Sequence, residues 1–144
     1  MSTAQKKQNQ ELSYTLKKTQ HVLRMQMDKA LKPLNLTTPQ YAVLSQLKLK
    51  PGISNAALAR VSFVTAQTMH GIVTNLEKMN LVKRKCDPSH GRILCTELTK
   101  KGLAILSKAL LLIHSVEEAM TSSLTDKNKV LLEKLLLDCI NNFE

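Results

Sequence analysis

The sequence predicts a mainly α-helical fold with one short β-hairpin, and three observations carry that expectation. Apolar residues recur at intervals of three and four over most of the 144 residues. Only residues 81–98 break that period, and the four Pro and four Gly supply most of the punctuation between periodic stretches.

The first helix is expected over residues 11–32, with Leu12, Leu16, Leu23, Met27, Ala30 and Leu31 on one face and Pro33 ending it. Residues 1–10, polar and without that stripe, are expected to form a flexible tail. Thr38 before Pro39 reads as a cap for a second helix carrying Tyr41, Leu44 and Leu47 as far as Pro51-Gly52. Ser54 caps a short helix holding Ala56, Leu58 and Ala59. From Thr65 to Met79 an apolar stripe of Met69, Ile72, Val73, Leu76 and Met79 faces a side with little charge. Residues 81–86 and 92–98 read as two strands, and Asp87-Pro88-Ser89-His90-Gly91 as the turn between them. Helical spacing returns at Thr99, with residues 103–113 apolar on more than one face, and again after Leu124-Thr125-Asp126 in a leucine-rich last helix. A chain of this size has too little interior to hide both, so an oligomer interface is expected.

Twenty-one Lys and Arg against 11 Asp and Glu give a net charge of +10 and point to an anionic partner. The charge is +7 over residues 1–50, +5 over 51–101 and −2 over 102–144. No apolar run has the ~20 residues of a membrane span, and the polar first residues lack the centre of a secretory signal. The expected location is therefore cytoplasmic, with no membrane partner. Three scattered cysteines do not form a disulfide framework. At 3% aromatic and no Trp, a stacking platform for single strands is disfavoured. An enzyme is not expected: there is no Gly-rich phosphate loop, no nucleophile with a matching base and no evident pair of catalytic carboxylates. Cys86, His90 and Cys95 fall within one hairpin, but three ligands without a CxxC pair are too few for a closed zinc site, so neither metal nor cofactor is expected.

Five strings in order carry a family resemblance: Leu58-Ala59-Arg60; Val64-Thr65-Ala66-Gln67-Thr68-Met69; Leu76-Glu77-Lys78-Met79-Asn80-Leu81-Val82; Asp87-Pro88-Ser89-His90-Gly91-Arg92; and Leu98-Thr99-Lys100-Lys101-Gly102. With a long helix before and two after, the chain resembles the MarR family of regulators, named for multiple antibiotic resistance. The resemblance implies a winged helix-turn-helix lobe at 35–98 with a two-stranded β wing, and dimerisation helices at 11–34 and 99–144. It implies a homodimer that regulates transcription, most often as a repressor, on a pseudo-palindromic double-stranded DNA operator. Members place the second helix of the motif in the major groove and the wing along the minor groove.

Carried over, that helix offers Thr65, Gln67, Thr68 and His70 near its start and Asn75 further along, and the wing offers Lys83, Arg84, Lys85 and Arg92. Gln67 suits the N6 and N7 edge of adenine, and threonine methyls suit a thymine methyl. Ser54 and Thr65, each at a helix start, suit phosphates, although ordinary capping explains both. Arg92 closes the hairpin and is the candidate for minor-groove insertion, with Asp87 ordering the turn. Gly71 departs from the family, which often has a long polar residue there. Members often form an effector cavity beside the dimer helices, so a small anionic or phenolic effector is a further implied partner; His21, Arg24, Tyr41 and His114 lie near that region. The peroxide-sensing branch uses a cysteine early in the first helix, and this chain has none before Cys86. The alternative reading is a winged-helix dimer that binds a protein partner and no specific DNA.

Overall fold

Hydroxyl side chains open each α-helix of the computed structural model, which describes residues 1–86, 89 and 94–144, Leu94 by its backbone alone. Ser2, Thr37, Ser54, Thr65, Thr99 and Thr125 each accept the amide three residues on, at 2.9–3.4 Å. The helices they start are α1 (Thr3–Leu31), α2 (Thr38–Leu49), α3 (Asn55–Val61), α4 (Ala66–Lys78), α5 (Lys100–Thr121) and α6 (Asp126–Asn141). A 3-10 turn, Lys32–Leu34, follows α1 where Pro33 prevents the helix from continuing.

Two starts differ from the sequence expectation. α1 begins at Thr3 rather than residue 11, so most of the expected tail is helical. Ser2 and Gln5 form a reciprocal capping box, and Ala4, Gln5, Lys6, Lys7 and Gln8 are good helix formers. A search for apolar spacing cannot see such a polar stretch. In α2 the cap is Thr37, in a second capping box with Gln40, and Thr38 is already helical. The Thr38 side chain is engaged elsewhere, on Asp28.

Strands β1 (Val82–Cys86) and β2 (Leu94–Leu98) pair antiparallel, with Lys83 opposite Glu97, Arg84 opposite Thr96 and Lys85 opposite Cys95. Side chains directly opposite share a face, so Val82, Arg84 and Thr96 point one way and Lys83, Lys85 and Glu97 the other. Thr96 is fully buried, and its hydroxyl donates to Asn55 Oδ1 at 3.4 Å. With a backbone bridge between Ser54 and Cys95, this ties β2 to the start of α3. The expected turn lies outside the described residues except for Ser89, and so does Arg92.

The core runs from Leu31 to Ile113: Val43, Leu44 and Leu47 of α2, Leu58 of α3, Met69, Val73 and Leu76 of α4, and Leu106 and Ile113 of α5 meet in one cluster. At about 25 cal/mol per Å² of apolar surface, burying a leucine-sized side chain contributes roughly 2 kcal/mol, and this cluster holds the lobe together. α1 adds only its last residue, Leu31, to the fully buried set, and α6 buries none of its own. Among the described residues, no helix is long and apolar enough to cross a membrane.

Candidate nucleic-acid interface

α3 and α4 pack together through a tight turn at residues 62–65. The turn closes where the Val64 amide donates to the Ala59 carbonyl at 3.1 Å, with Phe63 left-handed at φ 56° and 95% exposed. A bulky residue with positive φ costs about 1 kcal/mol, and it persists because the core on either side fixes the turn.

Burial of Met69, Val73 and Leu76 orients α4, and the 3.6-residue period then sends Gln67, Gly71, Thr74 and Lys78 to the opposite side. Thr65, Gln67, Thr68, His70 and Asn75 are all exposed. Thr65 caps α4 by accepting the Thr68 amide at 3.1 Å, and its hydroxyl also donates to that of Thr68 at 3.0 Å. Ser54 is half-buried and caps α3 through the Ala57 amide at 3.2 Å. Both hydroxyls thus have structural work; what each helix start offers outward is its unpaired amides.

The wing cations are not equivalent. Lys83 is exposed and, among the described residues, has no acidic partner. Lys85 is exposed too but reaches Glu97 at 2.9 Å. Arg84 turns inward: its side chain is only 20% exposed, Nη2 donates to Thr74 Oγ1 at 2.7 Å, and Nε lies 3.3 Å from Glu77 Oε2. The sequence reading grouped Arg84 with the DNA-facing cations. Here it braces β1 against α4, because alternation along the strand puts it on the buried face with Val82. Its consequence for an interface is to fix the wing relative to α4.

A second link was invisible in the sequence. Asp28 Oδ1, near the end of α1, accepts the Thr38 amide at 2.8 Å and the Thr38 hydroxyl at 2.7 Å, with Arg24 Nε 3.9 Å from Oδ2. This joins the first helix to the start of α2. Burial raises the pKa of the Asp28 carboxyl, but the two Thr38 hydrogen bonds and the Arg24 charge outweigh it and hold it below the ordinary value. A carboxylate with a depressed folded pKa stabilises above its unfolded pKa, about 3.9, and loses that contribution as pH falls through the folded value. The carboxylate is nearly half exposed and so partly screened by solvent, and Asp28→Asn is therefore expected to cost at most about 1 kcal/mol at pH 6 and progressively less toward pH 2. Urea midpoints of both proteins at the two pH values check this; an equal gap at both would contradict it.

Beside this link lies a cavity of ≈ 350 Å³ between α1, α2 and the α3–α4 turn, with Leu23, Met27, Ala42, Phe63 and Ile72 on its walls and Arg24 as its cation. His21, Tyr41 and His114 are not among the residues lining it. Along α1 and α5 runs a larger apolar groove of ≈ 700 Å³, lined by Val22, Leu23, Leu112, Val116 and Met120 among others.

A helix-turn-helix whose second helix presents an open polar face, with a basic hairpin braced beside it, defines the winged-helix class of nucleic-acid-binding proteins. Comparison with known proteins narrows the class. The profile of the MarR family matches residues 34–93. The HTH-type transcriptional repressor Rv2887 of Mycobacterium tuberculosis is 36% identical over 128 residues, covering 86% of this chain and 92% of the relative. Among solved structures, the Mycobacterium tuberculosis MarR family protein Rv2887 in complex with salicylic acid matches with a TM-score of 0.71 and 33% identity, over 89% of this chain and 95% of that one. The transcriptional repressor CouR bound to a 23-mer DNA duplex matches with a TM-score of 0.84 and 28% identity, over 90% and 92%. The chain belongs to the MarR family and is a DNA-binding transcriptional regulator.

Proposed function

We propose that this regulator acts as a homodimeric repressor on a pseudo-palindromic duplex operator, with α4 in the major groove and the wing along the minor groove. The open polar face of α4 opposite Met69, Val73 and Leu76 is the observation that carries this reading. On it Gln67 reads adenine, Thr65 and Thr68 meet a thymine methyl or a phosphate, and His70 and Asn75 flank them. Lys83 and Lys85, with Arg92 at the turn, supply backbone and minor-groove charge, and Ser54 presents the start of α3 to a phosphate. Arg84 positions these contacts and makes none. Half-sites about one helical turn apart let both α4 helices reach one face of the duplex.

Dimerisation falls to residues 11–34 and 99–144, and the lobe at 35–98 reads the DNA. The apolar surface on α6 and the groove between α1 and α5 support that division. Control by a small aromatic carboxylate fits the ≈ 350 Å³ cavity, whose apolar walls suit the ring and whose Arg24 suits the charge. The Asp28–Thr38 link beside it gives such a ligand a route to the angle between α1 and the lobe. The binding of salicylic acid by Rv2887 supports this.

The test is selection of duplexes from a random pool, followed by titration of the enriched sequence at several salt concentrations. Affinity is expected to fall steeply with salt, and Gln67→Ala to relax preference at one base pair per half-site, at a cost of about 1–3 kcal/mol. An unchanged motif for Gln67→Ala would remove that contact. Failure to enrich any duplex at low salt would overturn the operator reading in favour of a protein partner.

A further inference from the structure

The three described glycines differ in what the fold asks of them. Gly52 is left-handed at φ 77°, a conformation side chains rarely adopt. Gly102 lies against the backbone of Leu81, where a Cβ has no room. Gly71 answers to neither cause: it sits in the middle of α4 with ordinary helical φ, and no described atom outside its own turn of helix lies within 4 Å of the position a Cβ would take. Glycine is the costliest residue after proline in a helix interior, so α4 carries a destabilising residue that no contact among the described residues requires.

Its place on the helix gives the reason. Gly71 lies four residues after Gln67 and three before Thr74, in the row farthest from Met69, Val73 and Leu76. The row therefore has a gap at its centre, flanked by side chains one turn away on either side, and there the helix backbone itself is the outermost surface.

We infer that Gly71 is a specificity-determining residue at which the backbone of α4 lies directly against a base-pair edge, with no room for a side chain between them. This rests on the reading of α4 as the major-groove helix. Close backbone approach selects by shape: it admits a base pair whose edge fills the gap, and it brings Gln67 deeper into the groove than a longer residue at 71 would allow, while Thr74 stays engaged with Arg84. Each direct contact to a base edge is directional and short, so a displacement by one methyl group disturbs several at once.

The experiment uses the full-length protein and a duplex enriched by the parent from a random-sequence pool. Gly71→Ala and Gly71→Gln are compared with the parent in thermal unfolding, in affinity for that duplex and in affinity for an unrelated duplex of equal length. The expected results are an unchanged or higher melting temperature for Gly71→Ala, by up to about 4 °C, and a loss of about tenfold or more on the enriched duplex. Affinity for the unrelated duplex stays within about twofold, since phosphate contacts carry it. Gly71→Gln loses at least as much and enriches a different motif on reselection. Equal affinity of parent and Gly71→Ala for the enriched duplex overturns the inference while leaving DNA reading by α4 intact. So does a parallel loss on both duplexes, or a lower melting temperature, which would place the need for glycine in the fold. Failure of the parent to enrich any duplex overturns both readings together.

Discussion

Gly102→Ala is expected to destabilise the protein by about 3 kcal/mol, lowering its melting temperature by roughly 6–12 °C for a chain of this size. A Cβ on Gly102 would overlap the Leu81 carbonyl oxygen and stand 3.0 Å from the carbonyl carbon and 3.3 Å from Cα. These are backbone atoms, and they are held from several sides. The Leu81 oxygen accepts the Thr99 amide at 3.1 Å, the Thr99 hydroxyl donates to the Asn80 carbonyl at 2.7 Å and accepts the Gly102 amide at 2.9 Å, and Lys101 Nζ donates to the Met79 carbonyl at 3.0 Å. The end of α4, the start of β1 and the first turn of α5 thus form one hydrogen-bonded joint, with the buried Leu81 side chain as its floor. Relief of the overlap requires α5 to move off this joint, with loss of the Thr99 cap and the packing of Leu106 on the lobe. Thermal or urea unfolding measures the effect, and a loss under about 1 kcal/mol would show that the joint yields.

This joint also shows where sequence reasoning runs out. Thr99 was legible as the point where helical spacing returns, because a period is a local signal. That Gly102 must be glycine was not, since the atoms excluding a side chain belong to Leu81, 21 residues earlier. The same division holds at the interface. The outward face of α4 was readable from the spacing of Met69, Val73 and Leu76, and Gln67, His70 and Asn75 fell where that spacing put them. Arg84 differs from its neighbours in a way the sequence concealed: a run of Lys83-Arg84-Lys85 reads as uniform charge, whereas strand alternation turns its middle member toward Thr74 and Glu77. Asp28 and Thr38 meet only because the 3-10 turn after α1 reverses the chain between them. The polar start of α1 escaped for the opposite reason: its signals, a capping box and helix-forming residues, were local but not apolar. Arg92 and most of the wing turn lie outside the described residues, so that part of the reading stands on the family pattern.

In the proposed homodimer, the replacement of Leu131 and Leu135 together by Glu is expected to give monomers and to weaken operator binding by about a thousandfold. α6 buries none of its residues in its own chain, yet leaves Leu131 at 49% and Leu135 at 51% exposed, with Val130, Leu132, Leu137 and Ile140 exposed around them. Leucines one turn apart share a face of the helix, and monomeric proteins rarely leave so large a contiguous apolar surface in water. Because each leucine is already half covered, completing its burial contributes about 1 kcal/mol, so the four leucines of a dimer contribute roughly 4 kcal/mol, or about a thousandfold in association. Carboxylates in their place would have to be desolvated without partners, which adds to the loss. A monomer holds one half-site at a time and forfeits the effective concentration that links two recognition helices. The core from Leu31 to Ile113 contains neither residue, so each lobe should stay folded and keep weak, salt-sensitive binding to duplex DNA. Light scattering gives the mass and titration of the enriched duplex gives the affinity. A double variant that remains dimeric would move the interface from α6 to the groove between α1 and α5 alone, and a monomer that binds as tightly as the parent would remove the requirement for paired half-sites.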